Sequence, residues 1–94
     1  MDRSEAKQII RAELEQFRIK PYAELVRMIG EEPTTAERTG PGGEMYQIEI
    51  EVFWDAKPGG DVRVLGSIDD GGWRAFKPLC DDFIKNAADG FVGE

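Results

Sequence analysis

The feature that most constrains the fold is the segment 46–54, in which apolar and polar side chains alternate. Successive side chains of a β-strand point to opposite faces, so a period of two predicts a strand with one face in a core and one in water. A chain built on such a strand must form a sheet and cover one side of it. The side chains predicted to face the core are Tyr46, Ile48, Ile50, Val52 and Trp54.

A second strand follows this one directly. The segment 57–60, Lys-Pro-Gly-Gly, predicts a turn, and the apolar side chains after it again alternate with polar ones, which indicates a β-hairpin. Matching like faces fixes the register of the two strands. It predicts Trp54 beside Val62, Val52 beside Val64 and Ile50 beside Gly66 on the inner side, with Phe53 beside Arg63 and Glu51 beside Leu65 on the outer side.

Two helices are predicted before the hairpin. Apolar residues at steps of three and four over 4–17 indicate an amphipathic helix, which Asp2 or Ser4 can cap. Pro21 suits the first position of a second short helix, and Gly30 can end that helix with a positive φ. We expect both helices to pack on the same face of the sheet.

Three further segments complete the predicted fold. Thr34–Thr39 is expected to form an edge strand and Trp73–Phe76 a short fourth strand. Beyond Pro78 the apolar spacing favours a short C-terminal helix, while Asp89-Gly90 between apolar residues favours a hairpin instead. The prediction is one α+β domain, residues 1–94, with two N-terminal helices on an antiparallel three- to four-stranded meander.

Cysteine content and hydropathy indicate the cellular compartment expected for this chain. Cys80 is the single cysteine, so an internal disulfide is excluded and a reducing environment fits the chain better. The first residues carry scattered charges, and the longest uninterrupted aliphatic or aromatic run is 52–54, which predicts neither a secretory segment nor a membrane span. A cytoplasmic location is therefore expected.

Charge is distributed unevenly. The net charge is −7. Residues 1–30 carry six Lys or Arg against five acids, whereas residues 31–94 carry six against fourteen. This negative field repels phosphate backbones and anionic lipid, so nucleic-acid and membrane binding are not expected, and a basic protein or peptide partner is favoured.

The absence of histidine limits the chemistry. It removes Ser-His-Asp and Cys-His catalysis and all zinc sites that use histidine. One cysteine cannot build a thiolate zinc site, and Cys80, flanked by Asp81 and Asp82, is expected to be a packed core residue rather than a nucleophile. No cofactor is predicted, and an enzyme is the less favoured interpretation.

The outer side of the predicted sheet mixes carboxylates with apolar groups. A solvated surface explains such a mixture, but so does a binding surface for a partner, and Trp and Arg are frequent in binding hot spots. The leading hypothesis is a small non-enzymatic interaction module. Its candidate partner-binding residues are Glu37, Gln47, Glu49, Glu51, Phe53, Arg63, Leu65, Trp73 and Arg74.

Other hypotheses use the same carboxylates differently. A small enzyme or ligand binder would need a concave pocket next to Asp69, Asp70, Asp81 and Asp82, and these four carboxylates could bind a divalent cation if they converged. Glu49 and Glu51 could supply paired carboxylates for glycoside hydrolysis. A mimic of nucleic acid would need carboxylates spaced like phosphates along one ridge. An exposed strand edge could also pair with a second copy of the chain, which would give a homodimer.

Two strings, Gly71-Gly72-Trp73-Arg74-Ala75-Phe76 and Phe91-Val92-Gly93-Glu94, resemble those of short bacterial proteins of unknown function. This resemblance covers the last third of the chain. It implies no activity, cofactor or catalytic residue.

Overall fold

A computed structural model describes residues 1–71 and 78–94, which form two helices followed by one antiparallel sheet with strands in chain order. The α+β class is therefore confirmed. None of the helices in these two ranges is long and apolar enough to cross a membrane. The elements are α1 (Arg3–Arg18), α2 (Tyr22–Met28), β1 (Thr34–Thr39), β2 (Met45–Trp54), β3 (Val62–Asp69) and β4 (Leu79–Lys85).

The register predicted for the β2–β3 hairpin is confirmed. Trp54 lies opposite Val62, Val52 opposite Val64, and Glu51 opposite Leu65. The alternation of β2 therefore sorts its side chains as expected, with Tyr46, Ile48, Ile50 and Val52 buried and Trp54 half-buried. The buried apolar residues of the sheet join those of the helices in one core: Ala6, Ile10, Leu14, Phe17, Leu25, Tyr46, Ile48, Ile50, Val52, Val62, Val64, Ile68 and Phe83.

The inner face of the sheet, the side covered by the helices, depends on one glycine for its close contact with α1. A Cβ atom at Gly66 would lie 2.8 Å from Ile10 Cδ1 and 3.2 Å from Leu14 Cδ2. Both distances are shorter than ordinary van der Waals contact. The absence of a side chain at this point of β3 therefore allows α1 to approach the sheet.

Polar side chains fix both ends of α1. The Asp2 carboxylate accepts a hydrogen bond from the Glu5 N–H at 3.0 Å, as a helix N-cap does. At the other end Lys85, which is only 4% exposed, donates to the carbonyl oxygens of Arg18 at 2.8 Å and Lys20 at 2.7 Å. A buried ammonium therefore satisfies carbonyl groups that the end of a helix leaves without partners.

The second helix differs from its prediction by one position. Pro21 is extended, with ψ 155°, and is the N-cap residue, so α2 begins at Tyr22. Gly30 has the expected positive φ of 86°, one residue beyond the C-cap Ile29.

The predicted C-terminal helix is wrong, because residues 79–85 form β4. The four-residue spacing of Leu79 and Phe83 suits a helix but equally suits a strand, in which both side chains face inward. Pairing with β3 decides between the two, with Leu79 opposite Ile68 and Phe83 opposite Val64.

The turn at Asp89-Gly90 agrees with the hairpin alternative. Asn86 N–H donates to the Gly90 carbonyl at 2.8 Å, Asp89 has φ 64°, and the chain returns to form an antiparallel bridge between Lys85 and Phe91. The strand predicted for Trp73–Phe76 lies outside the described residues. Thr34–Thr39 is a strand, as expected.

The last residues are tied to α1 by an arginine. The Arg18 guanidinium carbon lies 4.0 Å from the centroid of the Phe91 ring and its nitrogens donate to both carboxylate oxygens of Glu94, at 2.8 and 2.5 Å. This hydrogen bonding, together with the positive charge of Arg18, lowers the pKa of Glu94.

Candidate functional site

The candidate site is the outer face of the sheet, the side opposite the helices. The pairing of the four strands places every second residue of each strand on this outer face. No helix covers it among residues 1–71 and 78–94. Its charged and apolar members are Glu37 of β1, Met45, Glu49, Glu51 and Phe53 of β2, Arg63, Leu65 and Asp69 of β3, and Asp82 and Ile84 of β4.

The outer face has an acidic end and an apolar end. Glu37 lies opposite Gln47, which lies opposite Asp69, and Glu49 follows two positions along β2. At the other end Phe53 and Ile84 lie on either side of Arg63. The structure therefore brings seven of the predicted partner-binding residues onto one surface: Glu37, Gln47, Glu49, Glu51, Phe53, Arg63 and Leu65.

Glu49 and Glu51 lie two positions apart on the same side of β2, so their carboxyl groups are neighbours on the outer face. A hydrogen bond from Glu51 is the largest cause that raises the pKa of Glu49, followed by partial loss of hydration and by the negative charges of Glu51 and Asp69. Like charges disfavour the ionised form of each other. Such a pair can bind a cation, or it can exchange a proton with a bound molecule.

Among the described residues, one arginine lies on this surface, and it is already paired with acids. Arg63 donates to Asp55 Oδ1 at 2.8 Å and contacts the Asp82 carboxylate. These carboxylates raise the pKa of Arg63, chiefly through the hydrogen bond to Asp55. Its charge is therefore balanced locally and does not neutralise the carboxylates of the acidic end.

A shallow depression of about 620 Å³ lies at the acidic end. Its polar lining comes from three strands, with Glu37 from β1, Gln47 and Glu49 from β2, and Ser67 and Asp69 from β3. A sheet surface of this shape can receive an extended chain or several side chains of a partner.

The four aspartates proposed for a metal do not converge. Asp81 faces inward, where Arg11 pairs with it at 3.2 Å, while Asp82 faces outward to Arg63. Asp69 accepts from the Gly71 N–H at 2.7 Å, and Asp70 lies 3.5 Å from the N-terminal amine. Within residues 1–71 and 78–94 no group of three or more His, Cys, Asp or Glu side chains is placed to hold a metal ion.

Two of the predicted partner-binding residues, Trp73 and Arg74, are outside the described residues. Cys80 is exposed on the outer face with its Sγ 3.9 Å from Ser67 Oγ, so the prediction that it packs in the core is wrong. The error follows from the wrong helix, because in β4 this position alternates with the inward-facing Leu79 and Asp81.

The sequence did not predict a groove under β1. Neither helix packs closely on this strand, of which only Ala36 is half-buried, and a space of about 570 Å³ remains between it and the helices. We call it the β1 groove. Its apolar lining consists of Phe17, Ile19, Met28, Ala36, Ile48 and Ile50. The signal for it was present in β1 itself, whose inward residues Thr34, Ala36 and Arg38 include no large apolar side chain to fill that space.

Comparisons with protein-family models, with curated proteins and with solved structures find no match.

Proposed function

We propose that this protein is a small non-enzymatic interaction module that binds a basic protein or peptide through the outer face. The observation that carries the proposal is the convergence of three carboxylates from neighbouring strands, Glu37, Glu49 and Asp69, on one depression of the outer face. Placing like charges together opposes folding, and a cationic side chain of a partner would relieve the repulsion.

The apolar end of the outer face supplies the second requirement of a binding surface. Phe53, Leu65 and Ile84 are half-buried and lie on three neighbouring strands, with no helix over them among the described residues. Burial of aromatic and aliphatic groups provides most of the free energy of association, while charges provide orientation and selectivity. An acidic end and an apolar end on one surface therefore favour a partner that is both basic and apolar.

Charge over the whole chain supports a partner of this sign. Residues 31–94 contain all four strands and fourteen of the nineteen acids. Such a field attracts a cationic partner over distances of about 10 Å at moderate salt.

The test is affinity capture from bacterial lysate at moderate salt, with the parent protein beside Glu37→Lys, Glu49→Lys, Glu51→Lys. A matched control carries the same change of charge on other surfaces, at Glu15, Glu31 and Glu32, all of which are exposed. Loss of Glu15 leaves Arg18 its pairing with Glu94. Circular dichroism and thermal unfolding establish first that all three proteins fold.

We expect a basic partner that the parent and the control retain and the outer-face variant loses. Capture of the same partner by all three proteins, or capture of none, would contradict the proposal. Raising the salt concentration should release the partner, because exposed charges are screened.

A further inference from the structure

Strand β1 is an edge of the sheet. It pairs with β2 on one side, and among residues 1–71 and 78–94 no strand pairs with its other side. An unpaired edge presents backbone N–H and C=O groups that another extended chain can use.

The backbone groups that face outward can be identified from the turn between β1 and β2. Gly40 N–H donates to the Glu44 carbonyl at 2.8 Å, and hydrogen-bonded pairs alternate from there along an antiparallel ladder. Every second residue of β1 therefore points its backbone groups away from β2, namely Thr35, Glu37 and Thr39. The Glu37 carbonyl accordingly accepts a hydrogen bond from the neighbouring arginine side chain at 2.8 Å.

The two sides of a strand added to this edge would meet different surroundings. Side chains on its outer side would lie beside Glu37 and the depression that Glu49 lines. Those on its inner side would lie over the β1 groove, whose lining includes Phe17, Met28 and Ile48. Alternation in an added strand would match a negative surface on one side and, on the other, the apolar groups of the β1 groove, which lie beside the Glu13–Arg38 ion pair.

We propose that an extended segment of the basic partner adds to β1 as a fifth strand, with Lys or Arg side chains over the acidic end alternating with aliphatic side chains in the β1 groove. This inference rests on the proposed function and specifies how the partner is held. Main-chain hydrogen bonds to β1 hold the segment, and the alternation selects its sequence.

A second copy of this chain fits the edge poorly. In antiparallel pairing that keeps like faces together, Glu37 would lie opposite Thr35, Thr39 or its own counterpart. The two acidic outer faces would then adjoin, and like charges repel. Toward the groove the second β1 would offer Thr34, Ala36 and Arg38, none of which is a large apolar side chain.

The test is a fluorescence-anisotropy titration with capped synthetic peptides of about seven residues, the length of an ordinary strand. One peptide alternates Lys and Val, and its control has the same composition in two blocks, so the charge is kept and the alternation is lost. The alternating peptide should bind roughly tenfold more tightly, because the block peptide cannot place aliphatic side chains in the groove and lysines on the outer face together.

N-methylation of the alternating peptide tests the backbone contact. Methyl groups on the lysine nitrogens remove the donors that an antiparallel fifth strand uses, and methyl groups on the valine nitrogens remove those of a parallel one. We expect one set to weaken binding by roughly tenfold or more and the other to leave it nearly unchanged. Equal effects of the two sets would overturn strand addition.

A variant of the protein tests the groove. Ile19 is 81% exposed at the rim of the groove, so Ile19→Lys should fold like the parent and should weaken the alternating peptide roughly fivefold. Val92→Lys, an exposed apolar position at the C-terminus, is the control and should have no effect.

The outcomes separate this inference from the proposed function. Equal binding of the alternating and block peptides, or failure of the alternating peptide to bind the parent, would overturn strand addition at β1. The proposed function would still be decided separately, by whether charge reversal at Glu37, Glu49 and Glu51 abolishes capture of the partner.

Discussion

The two faces of the sheet differ in how their charged residues are paired. On the inner face, three charges beside the core have compensating partners: Lys85 donates to carbonyl oxygens, Glu13 accepts from Arg38 at 2.5 and 3.3 Å, and Asp81 pairs with Arg11. The buried Glu5 Oε1 is an exception, with no hydrogen-bond partner among the described residues. On the outer face, Arg63 pairs with Asp55 and Asp82, but Glu49 and Glu51 lie two positions apart on the same side of β2, so like charges are neighbours.

This difference indicates what each face contributes. Most charges beside the core are compensated within the chain, since an unpaired polar group there costs stability. The carboxylates of Glu37 and Glu49 at the acidic end of the outer face are exposed and can be left uncompensated for a partner to meet. We therefore expect changes on the inner face to alter the free energy of unfolding and changes on the outer face to alter binding.

The largest effect should come from filling the space between α1 and β3. Gly66→Val places side-chain atoms against Ile10 and Leu14, and such overpacking should lower the free energy of unfolding by about 3 kcal/mol. The adjacent control Ser67→Val, on the outer face, should change it by less than about 0.5 kcal/mol. Urea unfolding of both proteins measures the difference, and equal effects would remove the contrast between the faces.

Removal of the buried ammonium should have the next largest effect. Lys85→Met keeps most of the side-chain volume but leaves the carbonyl oxygens of Arg18 and Lys20 without their donor, which should cost about 2 kcal/mol. Lys7→Met on the exposed side of α1 serves as the control. If the two variants unfold at the same denaturant concentration, Lys85 does not stabilise the end of α1.

Glutamate-to-glutamine substitution can be compared directly across the two faces. Glu13→Gln weakens a charge-assisted contact with Arg38 and should lower the free energy of unfolding by about 1 kcal/mol. Glu37→Gln on the outer face should leave it within about 0.5 kcal/mol of the parent. Thermal unfolding of the pair measures this, and a larger loss for Glu37→Gln would reverse the assignment of the faces.

The smallest predicted change in the free energy of unfolding is a gain, whereas the three preceding ones are losses. At neutral pH Glu49→Gln removes the repulsion from Glu51 and should raise the free energy of unfolding by about 0.5 kcal/mol. Because the folded state raises the pKa of Glu49, the repulsion costs stability above that pKa and disappears as the group is protonated. The gain should therefore vanish near pH 3, well below the usual pKa of a glutamate. A gain that persists in acid would show that repulsion is not its cause.

Local patterns predicted much of this fold. The alternation of β2 and the turn at Gly59-Gly60 were sufficient for the register of the hairpin, because a shift of one residue would expose the core side chains. The same reasoning placed Glu49 and Glu51 side by side on the outer face.

Features that depend on distant contacts could not be predicted in this way. The segment 79–85 has spacings that suit both a helix and a strand, and only the free edge of β3 decides between them. The small and polar inward residues of β1 are a local signal for the β1 groove, but the position of the groove depends on where the helices cross the sheet, which no local pattern specifies. The exposure of Cys80 follows from the strand and was therefore missed with it.

The central claim is that the outer-face carboxylates serve binding and not folding. Its most direct test is one variant, Glu37→Gln, Glu49→Gln, Glu51→Gln, measured for both properties: urea unfolding for stability and anisotropy titration with the alternating Lys-Val peptide for binding. We predict a free energy of unfolding equal to or above that of the parent, together with an affinity at least roughly tenfold weaker. A variant that loses more than about 1 kcal/mol of stability, or that binds the peptide as tightly as the parent, would contradict the account.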